Sequence, residues 1–547
     1  MFTTALNDLM YHLRPARPGQ LIDRAAFGEA DGQSVSDWQR AAEKALNRPF
    51  PTAMVSDGLS GDGAFPAARE ERRRQLFALL LSGCAEGFDR YLPRMADLVW
   101  EICGEASWRE PLNEYGEPEA DAFALATAEL LAWTYTLAGE AFTGAASIVT
   151  RRLQRELARR LLAPFAQREA PAWAQRRGGW TLSNLISVLA VFLLADENDG
   201  RRWAGVRRAL LLIDERVRPL PRDGAHPAGL EGWIQDVPAL SDAATLLLTC
   251  TGGHVDVGGG AWFQRAAEYP VASHMGNGYF VNPEGEAQPR LDGRAMYRVG
   301  VCAGNEGLCR LGAFLNDDEA NSPVTPTAAF LNALMARTFK AQAALPVTRE
   351  RVLLPDSMRT AASVGPFRAA LIGGSLSGDH IDAGNLYLFL NGQPILTDLT
   401  PARPLADAHA LPAIGGIGPV RRTGGARDLD ARFSDDFVCL SVNLAPAFPD
   451  NLGVQSWQRS VILSPSEQQV RIIESFDLLR PAGPVSFHFM TPQRPERLSD
   501  RALRLGDAVL RWEDDMDATY AAVPGGWRVT LSIPPTQHAS RAFIVSE

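Results

Sequence analysis

The sequence predicts an α+β multidomain chain, an N-terminal incomplete (α/α) toroid followed by a C-terminal antiparallel β-sandwich. From about residue 70 to 343 apolar residues recur at three- and four-residue spacing, the period of helices buried on one face. Beyond about 345 the segments become short, alternate or fill with Val, Ile, Phe and Trp, and are separated by turn residues. A chain of 547 residues is also too long for one core, which points to two or three domains. The expected division is 1–65, a segment packing on the helices; 66–344, the helical domain; and 345–547, the β-domain.

Residues 1–65 mix short amphipathic pieces with Gly/Pro-rich turns. Helical periodicity then covers 71–83, 88–103, 121–140, 145–165, 181–195, 203–216, 237–250, 297–315 and 326–343. The breaks carry Gly, Pro, Asn or Asp. Successive helices on short loops pack as antiparallel neighbours, and an incomplete α/α toroid is one such arrangement. The later segments, among them LYLFL, PILTD, FVCLSVNL, VRIIESFD, VSFHFM and WRVTLSIP, read as strands of a sandwich.

Composition excludes several classes of function. The net charge of −10 leaves no general basic field for nucleic acid, so an anionic ligand would need a local cationic cluster. The first nineteen residues lack a leader pattern, and no apolar run reaches the eighteen or so residues that cross a bilayer. The expected location is therefore the cytoplasm, with no membrane partner. The six cysteines lack CxxC spacing and are expected to be buried free thiols.

The stretch from Ser377 to Pro412 contains the clearest constellation. Leu386–Leu390 and Pro394–Asp398 flank Asn391-Gly392, a dipeptide suited to the positive φ angles of a tight hairpin turn. Counting outward, Asp398 falls opposite Asn385, near His380, and His409 follows on a short loop. Two imidazoles and a carboxylate at one end of a hairpin form a ligand set that suits zinc. The same residues also serve as ordinary turn and edge polar groups.

GDHIDAG, a hairpin, an Asp and AHALP together resemble the C-terminal signature of the heparinase II/III-like polysaccharide lyases. That family reads HxHxDxG, an aspartate about eighteen residues on, then HN-L-P. His380, Asp382 and Gly384 match the first motif, Asp398 the aspartate and His409 the His of the last. The resemblance implies that His380, Asp398 and His409 bind a structural zinc. It extends over about residues 85 to 490, through an E-x-x-W helix ending at Trp108, paired helices around 151–195, and RDGAHPAGLEGWIQD at 222–236. It implies the toroid-plus-sandwich fold and β-elimination next to a uronic acid.

The family's catalytic positions are altered. Its active-site Asn falls at Thr181, its Tyr before Trp at Gly232, the first His of HxH at Gly378 and the Asn of HN at Ala410. Gly and Thr offer no group that titrates near neutrality. In the expected cleft remain His226 and Glu231, candidates for base and acid, with Tyr297 as a further catalytic candidate. Glu231 early in a helix is also favoured by the helix dipole alone. Trp173, Trp180 and Trp233 are candidate sugar platforms, and each is equally plausible as core. Arg176 and Arg177 are the candidate pair for a uronate carboxylate.

Three readings follow. One is a divergent lyase acting on an acidic oligosaccharide. Another is an inactive relative that binds carbohydrate or a protein partner. The third is a hydrolase using Glu231 and Asp236. The expected cofactor is structural zinc, the expected partner an acidic oligosaccharide, and the oligomeric state, including a homo-oligomer, stays open.

Overall fold

The change of period near residue 345 is visible in the backbone: helices precede it and antiparallel strands dominate after it. The computed structural model describes residues 2–16, 34–52, 64–109, 120–167, 181–285, 287–316, 325–374, 383–399, 409–420, 425–434, 436–513 and 515–547. Chain contacts divide it into two units. The first comprises Met1–Pro219, Ile234–Gln264 and Asp292–Ala343, and the second Leu220–Trp233, Arg265–Leu291 and Ala344–Glu547. The single boundary expected near 345 therefore describes the periodicity but not the packing. Two segments of the helical half belong with the sheets, through both polar and apolar side chains, described below.

In the first unit the long helices lie close to their expected positions, at Ala64–Glu86, Leu92–Gly104, Ala122–Ala138, Leu182–Ala195, Asp199–Val217 and Pro326–Ala341. Side chains cap several of them. Asp121, Thr181, Asn198 and Thr325 each accept a backbone N–H of the first turn. The run read as one helix over 297–315 is two, Gly293–Ala303 and Glu306–Phe314. Gly304 breaks it at φ 67°, and Asn305 caps the second piece through Leu308 N–H. The helices Ser34–Asn47 and Ala261–Ser273 were not anticipated. The second lies directly after a glycine run and carries an internal proline, Pro270, both of which read as loop.

Polar side chains also tie this unit together. Glu105 receives ion pairs from Arg69, Arg72 and Arg73. Fully buried Glu129 accepts from Ser187 Oγ and from Thr327 N, linking three helices. All six cysteines are free, four of them buried. Burial pushes the thiols of Cys103, Cys250 and Cys302 up to about 12, which keeps them protonated and unreactive.

The second unit holds three larger antiparallel sheets. A five-stranded sheet runs in chain order, Arg351–Leu354, Arg359–Val364, Phe367–Ile372, Leu386–Leu390 and Gln393–Leu396. An eight-stranded sheet has His538–Ser546 and Gln469–Leu478 at its centre, and a four-stranded sheet is built on Gly526–Ile533 and Val485–Thr491. The five-stranded sheet explains why LYLFL is apolar throughout, since both of its faces are covered. Leu386, Leu388 and Leu390 join a large core shared by the three sheets. Tyr387 and Phe389 point into a smaller one with Ala272, Met275 and Val281. That smaller core is one reason Arg265–Leu291 belongs to this unit.

Candidate functional site

The loop that begins at Leu220 is held by its acidic residue. Asp223 Oδ2 accepts from both the backbone N–H and the hydroxyl of Ser357, at 2.8 and 2.9 Å. Asp356 Oδ2 accepts from Arg222 N at 2.8 Å. The loop then enters the helix Gly229–Cys250, whose first turn carries Glu231, Gly232 and Trp233.

Three glycines around that turn leave space that polar groups fill. A Cβ at Gly229 would lie 2.3 Å from Asn282 Oδ1, one at Gly232 would lie 2.2 Å from His226 Nδ1, and one at Gly285 would lie 2.2 Å from Glu231 Oε2. Asn282 ties the pieces together. Its Oδ1 accepts from Leu230 N at 3.0 Å, and its Nδ2 donates to Glu231 Oε2 at 2.8 Å. Buried His226 accepts the Ala228 N–H on Nδ1 at 3.1 Å, which places the proton of the neutral ring on Nε2.

Beside this turn lies a second polar group. Arg359, buried on the sheet, donates to the Tyr269 hydroxyl and to Glu284. Burial alone would lower the guanidinium, but Tyr269 and Glu284 outweigh it and raise it, so the cation persists. Burial pushes the Tyr269 phenol up to about 12, leaving it protonated at neutral pH. His274 makes use of both ring nitrogens. Nδ1 lies 2.8 Å from Val347 O, and Nε2 accepts the Gly278 N–H at 3.2 Å. Burial holds its pKa down to about 4.

His226 and Glu231 thus lie at one helix start, in one unit. The other candidates are placed differently. Trp233 is fully buried and donates its indole N–H to Ala266 O at 2.8 Å, so it packs as core and presents no open ring face for a sugar. Tyr297 is buried on the helix Gly293–Ala303 of the first unit, with its ring edge-on to Phe339. Thr181 is the helix cap noted above. Trp173, Arg176, Arg177 and Trp180 lie outside the described residues, as do Gly378 and His380. Asn282, Glu284, Tyr269 and Arg359 escaped the sequence reading, because they are 43 to 133 residues from His226 and carry no local motif.

The hairpin turns at Asn391-Gly392 as expected, with φ 51° and 74°. A register shift between Leu388 and Phe389 moves the pairing by one, yet Asn385 Nδ2 still donates to Asp398 Oδ2 at 3.2 Å. His409 Nδ1 lies 2.9 Å from the same oxygen, and both side chains are buried. Asn385 Oδ1 accepts from Leu386 N and Ala410 N. Among the described residues no group of three metal-ligating side chains occurs. Even so, a buried imidazole and carboxylate brought together supply the nitrogen and oxygen donors that zinc takes, which fits that ion.

This order of helices and antiparallel sheets is the fold of the heparinase-like polysaccharide lyases. No family model matches the sequence, and no curated protein matches it. Solved structures do match. The heparan sulfate lyase HepC of Pedobacter heparinus is similar at TM-score 0.56 and 10% identity, covering 100% of this chain and 87% of that one. A chondroitin AC lyase variant of Streptomyces coelicolor A3 is similar at TM-score 0.55 and 13% identity, covering 99% and 82%. A heparinase III is similar at TM-score 0.54 and 11% identity, covering 100% and 88%.

Proposed function

We propose that the chain is a polysaccharide lyase that cleaves a uronic-acid-containing oligo- or polysaccharide by β-elimination, with His226 and Glu231 at its reacting centre. One observation carries this reading. The imidazole of His226 fills the volume into which a side chain at position 232 would project, the position where the resemblance expects a catalytic tyrosine. A titratable ring from six residues earlier in the chain stands where the phenol is missing.

The division of labour follows from the hydrogen bonds. His226, with its proton on Nε2, is a neutral donor suited to a uronate carboxylate, whose charge must be blunted for C5 to release its proton. Glu231 is the carboxylate that takes this proton. The C5–H electrons form the C4–C5 double bond, the C4–O bond breaks, and the leaving oxygen gains a proton from the Glu231 carboxyl or from water. Arg176 and Arg177 are proposed to hold the substrate's acid groups, with Trp173 and Trp180 stacking on sugar rings. Zinc held by His380, Asp398 and His409 would supply a structural cross-link.

A second reading, a non-catalytic carbohydrate-binding protein, is favoured by the burial of Trp233 and Tyr297 and by the altered positions 181, 232 and 410. Incubation with a panel of uronate-containing oligosaccharides, followed by ultraviolet absorbance of the unsaturated product, separates the two. A lyase gives a signal that falls by about 10²- to 10⁴-fold in Glu231→Gln and His226→Ala with melting temperature retained. A signal that survives both substitutions removes the assignment. Silence from folded, metal-loaded protein across the panel favours the binding reading.

A further inference from the structure

The second unit contains a buried ion pair that the proposed reaction does not use. Arg459 and Glu474 face each other across adjacent strands, Val454–Ser464 and Gln469–Leu478, and are almost completely enclosed. Arg459 Nε donates to Glu474 Oε1 at 2.6 Å, and Trp457 Nε1 donates to Glu474 Oε2 at 2.7 Å. Trp457 is itself stacked between Phe448 and Phe476, at centroid distances of 5.0 and 4.8 Å. The carboxylate is thereby fixed, and it fixes the guanidinium.

The remaining donors of Arg459 leave the strands. Nη1 donates to Gly384 O at 2.6 Å and to Ala410 O at 2.7 Å. Those carbonyls lie 26 residues apart, one before and one after the hairpin of Leu386–Leu390 and Gln393–Leu396. Gly384 is next to Asn385, which holds Asp398, and Ala410 is next to His409. One guanidinium thus clasps both segments where the imidazole meets the carboxylate. A buried charge pair is a costly way to make an ordinary core, since well-packed apolar residues stabilise as well or better. Its benefit here lies in position.

We infer that Arg459, oriented by Glu474, is a positioning residue for a divalent metal at Asp398 and His409, its guanidinium pinning the carbonyls of Gly384 and Ala410. The inference rests on the zinc reading and goes beyond it, since the ligand set alone does not require the pair. Side chains that orient ligands from outside the coordination sphere typically change metal affinity by about 10- to 100-fold.

The experiment uses the full chain, with zinc affinity measured by chelator competition and the site read by the absorption spectrum of cobalt(II)-loaded protein. Arg459→Met alone strands a buried carboxylate and endangers the fold, so the informative protein is the double variant Arg459→Met/Glu474→Leu, which removes both charges together. The expected result is a double variant that still folds but melts lower than the parent without metal, because the Trp457 N–H and the carbonyls of Gly384 and Ala410 lose their partners. Its zinc affinity falls at least 10-fold and its cobalt spectrum changes. A folded double variant with parental affinity and spectrum overturns the positioning role. A parent that binds neither metal overturns the zinc reading, and the inference with it. If the double variant does not fold, Glu474→Gln, which keeps Arg459 but weakens its anchor, decides by the same two readouts.

Discussion

An alanine at position 232 would bring its Cβ within 2.2 Å of His226 Nδ1 and 2.8 Å of Ala228 Cβ, so the ring must move. Gly232→Ala is expected to cost about 1–3 kcal/mol in denaturant unfolding, the usual cost of overpacking. If lyase activity is found, the same change should reduce it as far as His226→Ala does. A well-tolerated Gly232→Ala would mean that His226 has room to spare and is not held in place. His274 makes a different prediction. Its folded pKa of about 4 lies below the ordinary 6.5. Between those values the unfolded chain takes up the proton and the folded protein does not. Stability is therefore complete above about pH 6.5 and declines as pH falls toward about 4, by roughly 3 kcal/mol at about 1.4 per unit. Melting temperature measured against pH should show this slope in the parent and lose most of it in His274→Gln. An unchanged slope would assign the acid sensitivity to other groups. These residues also show the limit of the sequence. His226 and Glu231 stand out because they lie in one short segment. Asn282 and Arg359 complete the same cluster through contacts that no local spacing records.

At the scale of the element, periodicity was a good guide where one face of a helix meets a core, and a poor one where glycine or proline interrupts. The helix Ala261–Ser273 and the break at Gly304 both belong to the second kind. The hairpin around Asn391-Gly392 was legible because its turn chemistry is specific, whereas the one-residue register shift beside it has no signature of its own. Glu129 gives an element-scale test, since it joins the helices Ala122–Ala138, Leu182–Ala195 and Pro326–Ala341. Burial is the largest influence on its carboxyl and raises its pKa, against the hydrogen bonds from Ser187 and Thr327. A raised folded pKa means that its contribution is complete below the unfolded carboxyl value of about 4.3 and is lost as pH rises through the folded value. Glu129→Gln, which keeps the shape and an acceptor for Thr327 N, should therefore melt higher than the parent at pH 8 and differ little at pH 4. A variant that is equally destabilised at both would show that the ionised form is the one the helices need.

For the molecule as a whole, the net charge of −10 bears on the proposed substrate. An acidic polysaccharide approaches against a repulsive field, which salt screens; the Debye length falls from about 30 Å at 0.01 M to about 8 Å at 0.15 M. Affinity for an acidic oligosaccharide should therefore rise a few-fold over that range, and binding that weakens steadily from the lowest salt would place a dominant cationic cluster at the site. The division into units has a consequence for biosynthesis. A ribosome delivers residues 220–233 and 265–291 well before the strands they pack with. Until then Ala272, Met275 and Val281 lack the Val352, Ile372 and Phe389 that cover them, and Tyr269 and Glu284 lack Arg359. The nascent chain must carry an unfinished surface in its middle while its last third is made. Chains stopped at residue 344 should accordingly be recovered with chaperones or in the insoluble fraction. Soluble, monomeric recovery of that product would show that the helical part can complete itself without the sheets.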